Sequence, residues 1–204
     1  MSKHHYTYLA LGDSYTIGES VPLHESFPYQ TVQLVRKAGY PFQAPEIVAQ
    51  TGWTSSELAA HLLHTNLNES YDFVSLLVGV NNQYRGLPLA DFKTDFTFLL
   101  HKAIHLAANK ADHVMVLSIP DWGQTPYAAG KDTDTIRAEI DMFNQACESI
   151  AKENRVHYID ITVDTREVTH DKSLLAVDQL HYSGKAHALW AAKVAAVMQQ
   201  FSHK

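Results

Sequence analysis

The segment Tyr6-Thr7-Tyr8-Leu9-Ala10-Leu11-Gly12-Asp13-Ser14-Tyr15-Thr16-Ile17-Gly18 decides the fold. Its apolar run stops abruptly at a glycine and delivers a hydroxyl, as a strand does when it turns into a helix. Four further apolar runs follow, at Glu46 to Ala49, Tyr71 to Val78, His113 to Ile119 and Val156 to Ile161. Phe73 to Val78 and Val114 to Leu117 are apolar on both faces, which is the pattern of strands covered by helices on each side of a parallel sheet. Strands alternating with helical patterns predict an α/β protein with three α/β/α layers.

The intervening helices carry their own signals. Ser26 is expected to cap a helix bearing Phe27, Leu34, Val35 and Ala38 that stops at Gly39. Thr54 and Glu57 stand at capping-box spacing ahead of Leu58 and Leu62. Pro88 suits the first turn of a helix whose Leu89, Phe92, Phe96, Leu99, Leu100, Ala103 and Ile104 repeat with a helical period. Ile136, Ile140, Phe143, Cys147 and Ile150 do the same in the next, which places Cys147 on a core face as an inert thiol. Ser183 is expected to cap a last helix that buries Leu189, Trp190, Val194 and Val197.

Composition narrows the function. With 204 residues, 46% of them hydrophobic, the chain suits a single domain, residues 1–204, around one core. A formal net charge of -6 gives no basic footprint, which argues against nucleic acid as a partner. One cysteine forms no intramolecular disulfide, and the N-terminus holds no apolar stretch long enough for a leader or a membrane span. The cytoplasm is therefore the expected compartment, with a secreted form whose leader has been removed as the open alternative. Thirteen histidines are scattered, and the helical pairs His61/His64 and His101/His105 lack a companion carboxylate or cysteine at ligand spacing, so no metal and no cofactor is expected.

The long irregular connections, Gly12 to Glu25, Ile119 to Asp132 and Thr162 to Tyr182, all follow strands and so lie at the carboxyl edge of the sheet, where open α/β sheets bind ligands. Ser14 is the candidate nucleophile there. Asp178-Gln179-Leu180-His181 supplies a carboxylate and an imidazole from one segment, so that His181 takes the Ser14 proton while Asp178 orients the ring. Asn81, after the strand ending at Gly79, supplies a side-chain amide for an oxyanion. Gly52, in Gln50-Thr51-Gly52-Trp53-Thr54, supplies a backbone N–H at a point where a chain without Cβ approaches a ligand closely. Asp13 is read as turn support. Tyr15, Trp53, Tyr84, Arg85 and Trp122, together with Tyr127, are candidates to line the substrate site. His170 with Asp171 is the rival base.

Gly12-Asp13-Ser14, Gly52, Gly79-x-Asn81 and Asp178-x-x-His181 resemble, in order and approximate spacing, the four blocks of the GDSL esterases and lipases, the SGNH hydrolases. The resemblance implies a flavodoxin-like sheet of five parallel strands in the order 2-1-3-4-5 and metal-free hydrolysis of esters or thioesters of small or lipid-like substrates. It places the triad on Ser14, Asp178 and His181 and the oxyanion hole on Ser14, Gly52 and Asn81. Asn82 stands where the family commonly has Asp, and Tyr15 where it commonly has Leu. Two other readings stay open: an acyltransferase on the same site, and a flavodoxin-like binding module in which Ser14 meets a phosphate at a helix N-terminus. The segment from Gly12 to Gly18 carries neither a dinucleotide fingerprint nor a P-loop lysine, which weighs against the latter.

Overall fold

The computed structural model describes residues 5–201. The leader-free reading of the N-terminus falls partly on residues 1–4, outside the described residues. Five strands form one parallel sheet in the order β2-β1-β3-β4-β5: β1 (Tyr8–Gly12), β2 (Glu46–Ala49), β3 (Phe73–Leu77), β4 (Val114–Leu117) and β5 (His157–Ile159). β1, β3 and β4 are buried throughout. This explains their lack of polar alternation, since helices lie on both faces of the sheet.

Among the described residues, eight α-helices accompany the sheet: α1 (Ser14–Ile17), α2 (Phe27–Lys37), α3 (Ser55–Leu62), α4 (Val80–Tyr84), α5 (Leu89–Leu106), α6 (Thr133–Glu153), α7 (Thr162–Arg166) and α8 (Gly184–Phe201). α2 and α8 pack on one another on one side of the sheet, with Phe27 against Trp190, and α3, α5 and α6 form the other side. Register positions the site. Gly12 lies opposite Ala49 of β2 and Leu77 of β3, so the three central strands end level and the segments that follow them emerge side by side. The chain turns to opposite sides of β1 to reach β2 and β3, which makes the β1/β3 edge the switch point where a crevice opens.

The strands are shorter than their apolar runs because flanking residues find other partners. The Tyr71 N–H bonds the Leu106 carbonyl at the end of α5 (2.7 Å). The Ile119 N–H and C=O are both taken by the Asn144 side chain of α6, at 2.7 and 3.1 Å. The Thr54–Glu57 capping box is present in both directions. Ser26 is the N-cap residue of α2 and Ser183 immediately precedes α8, their carbonyls accepting from the Gln30 and His187 N–H groups, but their hydroxyls donate away from the helix, to the Leu23 and Ser173 carbonyls. Pro88 is the residue before α5, with ψ of 132°, which is the extended side of the boundary rather than the first turn. Leu34 and Leu189 are exposed, because α2 and α8 meet through Phe27, Thr31, Trp190 and Ala191, which lie on other faces. Cys147 is buried on α6, and burial pushes its thiol up, away from reactivity.

Candidate active site

β1 ends at Gly12 because nothing larger fits: a Cβ there would meet the Leu77 carbonyl at 2.3 Å. Asp13 is the N-cap of α1, and its Oδ1 accepts from the Tyr15 N–H at 3.0 Å. Ser14 is therefore the first helical residue, and its own N–H has no acceptor within the helix. Gly18, with φ of 77°, ends the helix after one turn. The Asp13 carboxyl is fully buried and its Oδ2 has no hydrogen-bond partner. Burial pushes its pKa up to about 7, against the opposing effect of the Tyr15 N–H.

The segment before α8 closes on this serine. His181 Nε2 stands 3.0 Å from Ser14 Oγ, and His181 Nδ1 stands 2.6 Å from Asp178 Oδ2. Asp178 Oδ1 accepts from the N–H groups of Leu180 and His181, at 3.0 and 2.9 Å. The left-handed conformation of Gln179, φ 60°, folds the segment tightly enough for one carboxylate to reach both its own backbone and the ring. Burial works to raise the Asp178 pKa, but hydrogen bonds from Ser20, His181 and the two N–H groups outweigh it and hold the carboxyl well below the usual range. Asp178 thus faces the imidazole as an anion. The rival pair lies elsewhere: His170 is exposed, and Asp171 is paired with Lys185 at 2.6 Å.

Ser20 was not anticipated. Its Oγ donates to Asp178 Oδ2 at 2.7 Å, from a backbone at φ 66° that disfavours a side chain. Its neighbour Glu19 accepts from the Thr51 hydroxyl, so this loop links the carboxylate to the segment after β2. The sequence signal was only a serine beside an acidic residue in a strand-end loop. Ser20→Gly relieves the backbone and removes the hydroxyl, so the variant is expected to be as stable as wild type or more so while kcat falls severalfold. Urea denaturation and ester turnover measured on one preparation check this. Loss of stability together with unchanged kcat would refute it.

Across the crevice, Gly79 adopts φ 136°, and a Cβ there would meet the Phe92 ring at 2.8 Å. This turn starts α4 and places Asn81 in its first turn, where Asn81 Nδ2 donates to the Trp53 carbonyl at 2.9 Å. One N–H of that amide is so held, which orients the other. Asn82 joins α4 to α3: its Oδ1 accepts from the Ser55 N–H (2.9 Å) and its Nδ2 donates to Ser55 Oγ (2.8 Å). Ser55 Oγ gives its proton to Asp95 and must accept from residue 82, which an amide allows and a carboxylate does not. Gly52 is in the left-handed region, φ 85°, and its carbonyl accepts from Arg85 Nη2 at 2.5 Å.

A cavity of about 110 Å³ adjoins Ser14 and His181, with Tyr15, Val80, Asn81, Tyr84, Trp122, Tyr127 and Leu180 completing its wall. Of the candidate lining residues, Tyr15, Tyr84 and Trp122 border this cavity, with Tyr15 buried and its ring 5.3 Å from that of His181. Trp53 and Arg85 are corrected: neither lines the cavity. The Trp53 ring stacks on His61, and Arg85 is spent on Gly52 and Glu57. Val80 and Leu180 were missed, because an aliphatic residue in a loop carries no signal of which way it faces. Among the described residues no group of three or more His, Cys, Asp or Glu could hold a metal ion, and no helix is long and apolar enough to cross a membrane.

A parallel sheet ordered 2-1-3-4-5 with a serine, histidine and aspartate hydrogen-bonded in series at its carboxyl edge defines the SGNH class of α/β proteins. The chain belongs to the GDSL-like lipase/acylhydrolase family, whose sequence profile matches residues 10–189. Solved structures share the fold at low identity. The psychrotrophic esterase EstA from Pseudoalteromonas sp. is 19% identical with a TM-score of 0.72, over 96% of this chain and 98% of that one. The lipase/acylhydrolase from Enterococcus faecalis is 17% identical with a TM-score of 0.76, over 96% of each chain. The acetylxylan esterase Axe2 from Geobacillus stearothermophilus is 18% identical with a TM-score of 0.75, over 95% and 94%. A search of curated proteins gives no significant match.

Proposed function

We propose that this protein hydrolyses small-molecule carboxylic esters or thioesters through an acyl-enzyme on Ser14. The observation that carries the reading is the continuous series Asp178 Oδ2, His181 Nδ1, His181 Nε2 and Ser14 Oγ, with contacts of 2.6 and 3.0 Å. In it His181 accepts the Ser14 proton as Oγ attacks the acyl carbon, and the imidazolium formed is stabilised by Asp178. The carbonyl oxygen takes the negative charge and is met by the N–H of Ser14, the N–H of Gly52 and the free N–H of Asn81. Collapse expels the alcohol or thiol, which receives the proton from His181. Water, deprotonated by the same ring, then attacks the acyl-enzyme and restores Ser14.

Support comes from the comparisons as well as the geometry. The Pseudoalteromonas esterase was captured inhibited by monoethylphosphonate, and Axe2 acts as an acetylxylan esterase. The test is a fluorophosphonate probe, with the adduct located by peptide mass spectrometry. The proposal expects one adduct, on Ser14, and p-nitrophenyl ester turnover that stops as the adduct forms. A folded protein left unlabelled at Ser14 would overturn it.

A further inference from the structure

One wall of the cavity is built by residues that the family blocks do not touch. Trp122 is buried, and its indole meets the rings of Tyr84 and Tyr127 edge-on at 5.2 and 6.2 Å. The two tyrosine hydroxyls lie 3.1 Å apart, bridging beyond the indole. The orientation of the indole is set from behind. Trp122 Nε1 donates to Gln83 Oε1 at 2.7 Å, and Gln83 Nε2 donates to Glu139 Oε2 of α6, also at 2.7 Å. Gln83 is buried, so a flipped indole would leave both its own N–H and the Gln83 carbonyl unpaired. The Glu139 carboxylate accepts only, which forces the Gln83 amide nitrogen toward it and the amide oxygen toward Trp122.

The space beside Ser14 is small: about 110 Å³, well below the ~300–1,000 Å³ of sites that take drug-sized ligands. We infer that the substrates are esters of short acids, and that Gln83, oriented by Glu139, is the positioning residue that sets this preference by holding Trp122 in the wall of the cavity. This rests on the reading of Ser14 as the nucleophile. The physical logic is that an extra methylene against a rigid wall must displace packed rings. The same methylene against an indole free to turn finds room.

The experiment varies the acyl group at constant leaving group, comparing kcat/KM for p-nitrophenyl butyrate and octanoate. For the wild type the ratio is expected to be roughly a hundred or more in favour of butyrate. Gln83→Glu sets a second carboxylate against Glu139 and breaks the relay, and the ratio is expected to fall at least about tenfold. Adding Glu139→Gln to that variant restores a donor opposite the new acceptor and is expected to restore the ratio, a rescue that a general packing role would not produce. Glu139→Ala, at a half-buried position, gives a second route to the loosened wall should Gln83→Glu fold poorly. Equal use of butyrate and octanoate by a wild type labelled at Ser14 would overturn this inference and leave the hydrolase reading intact. So would ratios unmoved in both folded variants. Absence of Ser14 labelling would remove both.

Discussion

His181→Ala is expected to lower kcat for p-nitrophenyl acetate by about five to six orders of magnitude, with the fold retained by circular dichroism. The ring is the group within hydrogen-bonding reach of Ser14 Oγ, and no other imidazole among the described residues bonds that oxygen. Without it the hydroxyl must lose its proton to water, and the departing alcohol has no acid. Asp178→Asn is expected to cost about four orders, because an amide that offers its N–H to Nδ1 stabilises the wrong tautomer. Asn81→Ala is expected to cost about two to three orders, the effect of removing one preorganised oxyanion donor. His170→Ala is expected to be silent, since Asp171 beside it is already engaged by Lys185. Retained activity in His181→Ala together with loss in His170→Ala would overturn the assignment and make His170 the base.

Asp13→Asn and His187→Gln are expected to tilt the pH dependence of stability in opposite directions. The Asp13 carboxyl titrates at about 7 in the native protein against an ordinary 3.8. Between those values the native state holds a proton that the unfolded chain releases, so its contribution is full below the lower value and lost as pH rises. The lost contribution reaches about 4 kcal/mol near neutrality. His187 behaves inversely. It is buried in α8, where its Nδ1 accepts from the Phe27 N–H at 3.1 Å, and burial, aided by the nearby His181, pushes its pKa from 6.5 down to about 3. Its contribution is full above the upper value and is lost as pH falls, by about 4 to 5 kcal/mol at the lower end.

Between about pH 4 and about pH 6.5 the two slopes, each about 1.4 kcal/mol per pH unit, offset one another. The wild type is therefore expected to show near-flat urea midpoints across that window. Asp13→Asn keeps the acceptor for the Tyr15 N–H and needs no ionisation. It is expected to be about 2 to 4 kcal/mol more stable at neutral pH and to lose stability as pH falls. His187→Gln can still accept from Phe27 and is expected to lose stability as pH rises instead. Parallel profiles for all three proteins would show that neither buried group titrates out of its ordinary range. The cost of Asp13 sits at the turn that presents Ser14, where a short acceptor is needed to close α1 in a space that excludes water.

Much of this architecture was legible before any coordinates. Buried parallel strands have no polar face, so β1, β3 and β4 announce themselves as unbroken apolar runs, and the glycines at 12 and 79 mark places where backbone must pass within contact of backbone or ring. The pairing of Asp178 with His181 is local, three residues apart, and needs only a tight turn. Helix caps were read less well. The hydroxyls of Ser26 and Ser183 each donate to a carbonyl outside the helix they precede, and which acceptor a hydroxyl finds depends on where a neighbouring loop runs.

By itself, then, the sequence determined the layered α/β fold, the strand ends that carry Ser14, Asn81 and Gly52, and the local Asp178–His181 pair, because each is dictated by periodicity, backbone sterics or short spacing. Tertiary structure alone decided what surrounds them. Ser20 meets Asp178 across 158 positions of chain, Gln83 meets Trp122 across 39, and Arg85 turns away to Gly52. Such contacts depend on side-chain direction and on the level ending of three strands in one sheet, which no local pattern encodes. The approach of His181 to Ser14, across 167 positions, is of the same kind, so the joining of the serine to its imidazole and the wall around it are both set by tertiary structure.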